Sequence, residues 1–181
     1  MKSPEALFDI YLTSVGRGST LLLNVPPDRR GLIHENDVAS LKGFRQLLDS
    51  AFSKDLASTA KVSTDVTRGD SPDYSATRLT DANTSSYWAT DDGVTKADIE
   101  LRWESEQVLQ YIMMQEYIAL GQRVKHFQVT ALINDEWELV TEGTTIGYKR
   151  ILRLDSVRTK GIRISIIDAK ASPVLHTISV Y

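Results

Sequence analysis

Cysteine is absent from the 181 residues, which removes disulfides, thiolate nucleophiles and cysteine-held zinc from the chemistry of this chain. The compartment stays open, because an oxidising environment does not demand cysteine. No apolar stretch approaches the ~20 residues of a membrane span, and the first residues, with acids at Glu5 and Asp9, lack the apolar core of a signal peptide. As written, the chain is expected to carry no export address and no anchor. Cationic stripes are missing too: Lys and Arg total 21 against 24 Asp and Glu, dispersed along the chain, which argues against a nucleic-acid partner. A Gly-rich phosphate loop is likewise lacking, since Gly16 and Gly18 follow a helical pattern and precede an apolar run, the wrong order for dinucleotide binding. His34, His126 and His176 stand far apart without ligand spacing, so zinc is not expected.

What is present divides into two halves with different periods. Ser3 caps a predicted helix with Pro4 at its first position, and Leu7, Phe8, Ile10, Tyr11 and Val15 recur at helical spacing. Ser19 to Val25 is a short apolar run stopped by Pro26 and Pro27, the pattern of a strand buried on both faces in a parallel sheet. A second helix is expected from about Asn36 to Phe52, with Val38, Leu41, Phe44, Leu48 and Phe52 on one face. From about Ser58 the period becomes two: Ala97 to Trp103, Gly161 to Ile166 and His176 to Val180 alternate apolar and polar residues as half-buried antiparallel strands do. Further strands are expected at Gln107 to Met114, Val124 to Ile133, Trp137 to Val140 and Arg150 to Leu154. Turn material separates them at Asn134-Asp135, Glu142-Gly143 and Asp155-Ser156. The predicted class is mainly β, a two-sheet sandwich preceded by an α-β-α segment, with the boundary near Ala57.

Two stretches carry a family resemblance. Ser14 to Ile33, containing Asn24-Val25-Pro26-Pro27-Asp28-Arg29-Arg30-Gly31, resembles the end of the catalytic (β/α)8 barrel of bacterial family-29 α-L-fucosidases. Arg78 to Thr90, with Gly121-Gln122-Arg123-Val124 and Gly143 to Ile151, resembles the galactose-binding-like jelly-roll sandwich, also called discoidin or coagulation-factor type C, that follows the barrel in many such enzymes. The resemblance implies that residues 1–57 are a barrel remnant and residues 58–181 an accessory β-sandwich. It further implies a retaining hydrolase of terminal α-L-fucose whose aspartate nucleophile, glutamate acid/base and sugar pocket lie upstream of Ser3. The parent is then expected in the periplasm or secreted.

A retaining glycosidase needs two carboxyl groups about 5–5.5 Å apart. Glu35 and Asp37 fall at a helix start, where acids favour the dipole, and Asp91-Asp92 and Asp135-Glu136 fall in turns; none matches the family's catalytic positions, so the chain alone is expected to be inactive. Arg29 and Arg30 follow the barrel strand on the side where barrel active sites collect; pairing with carboxylates of the rest of the barrel is the plainer role. By resemblance Asp81, Asn83 and Ser86 lie in a loop that in many related domains wraps a structural calcium, although Thr177 stands where those domains often supply a Glu; an Asx-turn at Asp81 is the competing reading. Trp88 and Trp103 read as core. Trp137 and Tyr148, near turn segments, are the candidates for stacking on a sugar.

Three functions follow: an accessory piece of an α-L-fucosidase that braces the barrel or holds fucosylated or galactose-type glycan, an independent sugar-binding module, or a discoidin-like adhesion domain for a protein partner. All share one physical demand. Burying Leu21, Leu22 and Leu23 is worth about 5–9 kcal/mol, so the first ~57 residues are expected to fold back on the sandwich or to pair with a second copy of the chain, if the rest of the barrel does not cover them.

Overall fold

The computed structural model describes residues 1–181. Two helices, α1 (Pro4–Ser14) and α2 (Glu35–Ala51), precede seven strands: β1 (Lys61–Thr64), β2 (Trp88–Ala89), β3 (Ala97–Glu116), β4 (Val124–Ile133), β5 (Glu136–Gly143), β6 (Arg150–Ala169) and β7 (Val174–Val180). All strand pairings are antiparallel, in the order β2-β7-β3-β6-β4-β5 with β1 on the free side of β3.

β3 and β6 pair in three runs: Ala97 to Arg102 lies against Gly161 to Ile166, Gln107 to Leu109 against Val157 to Thr159, and Tyr111 to Met114 against Arg150 to Arg153, with register shifts between them. The first run is flanked by β1 and β4, the last by β7, so one continuous ladder folds over into the two layers of a sandwich. Burial follows the pleat. Ala97, Ile99, Leu101 and Trp103 point inward on one half of β3, and Ile112, Met114 and Glu116 on the other, the phase changing through the bulge between Leu109 and Tyr111. The apolar ones share one core with Phe127, Val129, Ile162, Ile164, Ile178 and Trp88.

The strands expected from Ala97 onward exist, with one difference of joinery. Ala97 to Trp103 and Gln107 to Met114 are two ends of β3, and Arg150 to Leu154 and Gly161 to Ile166 two ends of β6. Asp155-Ser156 is therefore no chain reversal: Ser156 has φ 52° within a 20-residue strand. A residue that tolerates left-handed backbone serves a bulge as well as a turn, and local sequence does not separate the two. Asn134 and Asp135, with φ 50° and 66°, form the β4–β5 hairpin turn, a pair of left-handed residues whose twist matches that of the strands.

The N-terminal part folds back on the sandwich. Ser3 accepts the Ala6 N–H at 3.3 Å to cap α1, and His34 Nδ1 accepts the Asn36 N–H at 3.2 Å to cap α2. The helices meet where Gly43 faces Pro4, so close that a Cβ there would stand 2.7 Å from Pro4 Cγ. Phe8 meets Tyr111 edge-on with ring centres 5.9 Å apart, and Phe52 packs on both Tyr111 and Tyr181 at 5.3 and 5.1 Å, joining helices to strands. Asp55 Oδ1 accepts from Ala57 N–H and Val180 N–H, both at 2.9 Å, and Trp103 Nε1 donates to the Leu56 carbonyl. The covalent joint is thus also a hydrogen-bonded one.

The expected strand from Ser19 to Val25 is not formed. The segment makes no ladder, and Leu22 is 92% exposed while Leu21 and Leu23 are half-buried. A buried parallel strand is a property of its neighbours, and the strands of this chain pair with one another and not with this segment. Leu22, Leu32 and Ile33 are left as exposed apolar side chains along it.

Candidate functional site

One end of the sandwich gathers aromatic and charged groups from distant parts of the sequence. Tyr74 and Tyr87 have ring centres 5.5 Å apart, Tyr87 stacks on Tyr117 at 4.6 Å, and His176 stands edge-on to Tyr117 at 6.3 Å. Beside them a cavity of about 310 Å³ is lined by Arg68, Tyr74, Tyr87, Asp92, Leu120 and Arg123. Arg68 donates both terminal nitrogens to Asp92 at 2.8 and 3.0 Å, the forked geometry in which guanidinium and carboxylate fix one another. These hydrogen bonds, with the nearby charge, hold the Asp92 carboxyl below the usual carboxylate range. Burial, with Tyr74 alongside, raises the Tyr87 phenol, and burial lowers the His176 imidazole, which favours its neutral form.

Glu116 braces this end from inside. Its buried carboxylate accepts the N–H groups of Arg123 and Val124 through Oε1 at 2.6 and 2.9 Å and that of Gly147 through Oε2 at 2.6 Å. Arg123 in turn donates to the Ser172 carbonyl at 2.7 Å. Glu116 therefore ties both loops, 117–123 and 144–149, to β3, and Gln115 Nε2 adds a bond to the Tyr148 carbonyl at 3.0 Å. Such a site offers aromatic edges and a fixed charged pair to a small polar ligand with an apolar face. It presents no pair of carboxyl groups set apart as acid and nucleophile.

The residues singled out in the sequence go to other places. Asp81, Asn83 and Ser86 do come together: Asp81 Oδ1 accepts the Asn83 N–H at 2.8 Å and Oδ2 accepts the Ser86 hydroxyl at 2.7 Å, while Asn83 Oδ1 accepts the Ser85 N–H at 3.0 Å. Arg78 Nη1 stands 3.6 Å from Asp81. A hard dication asks for six to eight oxygens; here one carboxylate has both oxygens engaged beside a guanidinium, and Thr177 Oγ1 is 2.7 Å from His176 Nδ1. The arrangement is that of an Asx-turn and fits calcium poorly.

Trp137 lies under two cations, the guanidinium carbons of Arg102 and Arg163 being 4.6 and 4.3 Å from its ring centre. Tyr148 is 59% exposed, in the loop beside Gly18. Trp137 sits on β5 and Tyr148 in the loop between β5 and β6. Arg30 is closed into its own loop by Asp28 and Glu35, at 2.6 and 2.8 Å, whereas Arg29 is exposed. The tyrosine cavity escaped the sequence because its lining is contributed by separate loops. Tyr74 and Tyr117 lie outside any alternating run, and Tyr87 and Arg123 lie within the stretches that carry the resemblance.

No protein-family model matches the chain. The α-L-fucosidase 1 of Arabidopsis thaliana is 33% identical over 184 residues, which cover 99% of this chain and 36% of that protein. Among solved structures, SpGH29 is 37% identical with a TM-score of 0.92, over 99% of this chain and 39% of its own. The Ruminococcus gnavus GH29 fucosidase E1_10125, in complex with fucose, is 33% identical with a TM-score of 0.91, over 99% of this chain and 37% of its own. The chain matches the C-terminal part of family-29 α-L-fucosidases. It spans less than two-fifths of the length of these relatives, and the likeness runs through the helices as well as the sandwich. A chitosan-binding module from Paenibacillus sp. IK-5 covers 70% of this chain at a TM-score of 0.62 and 16% identity, a likeness of fold alone. No helix is long and apolar enough to cross a membrane.

Proposed function

We propose that this chain is the C-terminal portion of a retaining α-L-fucosidase, with residues 1–57 completing the catalytic barrel and residues 58–181 forming a discoidin-like accessory sandwich. The observation that supports this best is the 0.91 TM-score over 99% of the chain to a fucosidase that holds fucose. In this proposal the nucleophile and the acid/base belong to polypeptide preceding residue 1, the substrate is a fucosylated glycan, and the enzyme works outside the cytoplasm. The exposed Leu22, Leu32 and Ile33 are the face that the remaining barrel would cover, which removes the need for a second copy of the chain.

The sandwich then acts as a brace. Its Tyr111 and Tyr181 pack on Phe52 and its Val180 N–H donates to Asp55, which holds the helices in place, and holding of neutral glycan would fall to the cavity between Tyr74, Tyr87 and Arg68. The test is to compare the longer enzyme with a version ending after residue 57. Loss of thermal stability with substrate selectivity on aryl α-L-fucosides retained supports the brace. Unchanged stability and unchanged affinity for fucosylated glycans would refute an accessory role of either kind.

A further inference from the structure

Every arginine of the chain except Arg17, Arg29 and Arg150 holds a carboxylate or a backbone carbonyl. Two of those three line one cleft. It lies between the last turns of the first helix and the start of β6, has a volume of about 370 Å³, and is walled by Asp9, Thr13, Arg17, Ile151 and the guanidinium-bearing Arg150 and Arg153. Asp9 is already engaged by Arg153 Nη2 at 2.9 Å, so one carboxylate faces three guanidinium groups. Burial, and then the charge of Arg17, lower the Arg150 pKa, which means that its cation lacks compensation where it stands.

The walls are fixed. Gly16 packs so tightly on β6 that a Cβ would lie 3.1 Å from Ile151 Cβ, and Gly18, with φ 80°, turns the chain directly after Arg17. The Tyr148 Cβ stands 3.5 Å from where a Cβ of Gly18 would be, so an exposed tyrosine sits at the residue that follows Arg17. A half-buried guanidinium without a counter-charge is costly, and its forked donors match planar or tetrahedral oxyanions. An adjacent aromatic ring is what a sugar face packs against.

We infer that this cleft binds an oxyanion carried by an acidic saccharide, a sulfate or carboxylate held between Arg17 and Arg150 with the sugar ring against Tyr148. The site is separate from the tyrosine cavity and does not depend on the fucosidase reading, because binding to this chain alone is what tests it. At constant ionic strength, galactose 6-sulfate and methyl glucuronide are titrated against the ¹⁵N-labelled chain while the arginine Nε–H signals are followed; galactose and sodium sulfate serve as the comparisons. At least one acidic sugar shifts the Arg17 and Arg150 signals saturably in the millimolar range, and galactose leaves them in place. R17Q and R150Q each weaken binding at least about tenfold, the loss expected for one charge-assisted fork. Tyr148→Ala weakens the acidic sugar and leaves inorganic sulfate unaffected. Since R150Q alters a half-buried group, its circular dichroism is checked, and R17Q, at an exposed position, decides if it unfolds. Shifts no larger than sodium chloride produces, full affinity in R17Q, or binding of sodium sulfate alone would each overturn the inference.

Discussion

Glu116 Oε2 accepts the Gly147 N–H at 2.6 Å, and through Oε1 the same carboxylate takes the N–H groups of Arg123 and Val124. Gly147 has φ 65°, a left-handed conformation that favours glycine. The sequence words Gly121 to Val124 and Gly143 to Ile151 thus have a physical reason: both are loops shaped to present N–H groups to one buried acid. Glu116→Gln turns one acceptor oxygen into a donor facing an N–H, and should cost about 2–3 kcal/mol in urea unfolding. A loss below half a kcal/mol would mean that the loops hold themselves.

Trp137 is held by two arginines that share one carboxylate. Glu100 accepts from Arg163 at 2.8 Å and from Arg102 at 3.1 Å, and both arginines lie over the indole. Trp137→Ala should therefore cost about 1–2 kcal/mol, two partly exposed cation–π contacts, and leave glycan binding unchanged. Weakened sugar affinity with stability intact would restore it as a stacking platform.

The same cluster gives stability a pH dependence. Burial would raise the Glu100 pKa, but the hydrogen bonds and charges of Arg163 and Arg102 outweigh it and bring it below the ordinary 4.5. A depressed carboxylate contributes in full above its unfolded pKa and loses that contribution as pH falls through 4.5 toward the folded value. Glu100→Gln should then be less stable than the parent at pH 7, with the gap narrowing in acid. Denaturant midpoints at pH 7 and pH 3 check this, and a gap independent of pH would contradict it.

Gly143 ends β5 directly over Phe127, where a Cβ would come within 2.5 Å of the ring. Phe127 is fully buried and cannot yield. Gly143→Ala should lower stability by about 1–3 kcal/mol through overpacking, measured as a fall in melting temperature.

Calcium should do little. With both Asp81 oxygens engaged by Asn83 and Ser86 and Arg78 nearby, the melting temperature is expected to stay constant between chelator and millimolar calcium. Asp81→Ala should cost about 1 kcal/mol in both conditions, the worth of a lost turn hydrogen bond. Stabilisation by calcium that vanishes in this variant would establish a metal site there.

Alternation made most strands legible, because the pleat alone sets which of Ile99, Leu101 and Trp103 meets the core. Bulges were not legible: Asp155-Ser156 has turn chemistry and yet lies within β6. Ser19 to Val25 misled because an apolar run alone does not supply the neighbours a buried strand needs, and no strand of this chain pairs with it. Asp81, Asn83 and Ser86 were legible as one loop because Asx-turn chemistry is local. The tyrosine cavity and the Arg17–Arg150 cleft were not, since each is assembled by tertiary packing between residues far apart in sequence.

In the proposed function this polypeptide supplies scaffold and binding surface while the reacting carboxyl groups belong elsewhere. Release of nitrophenol from an aryl α-L-fucoside by the purified chain, measured beside the longer enzyme, addresses it directly. No turnover above buffer is expected from the chain and turnover from the longer enzyme. Hydrolysis by the chain itself, abolished by changing one of its own acids, would contradict the account.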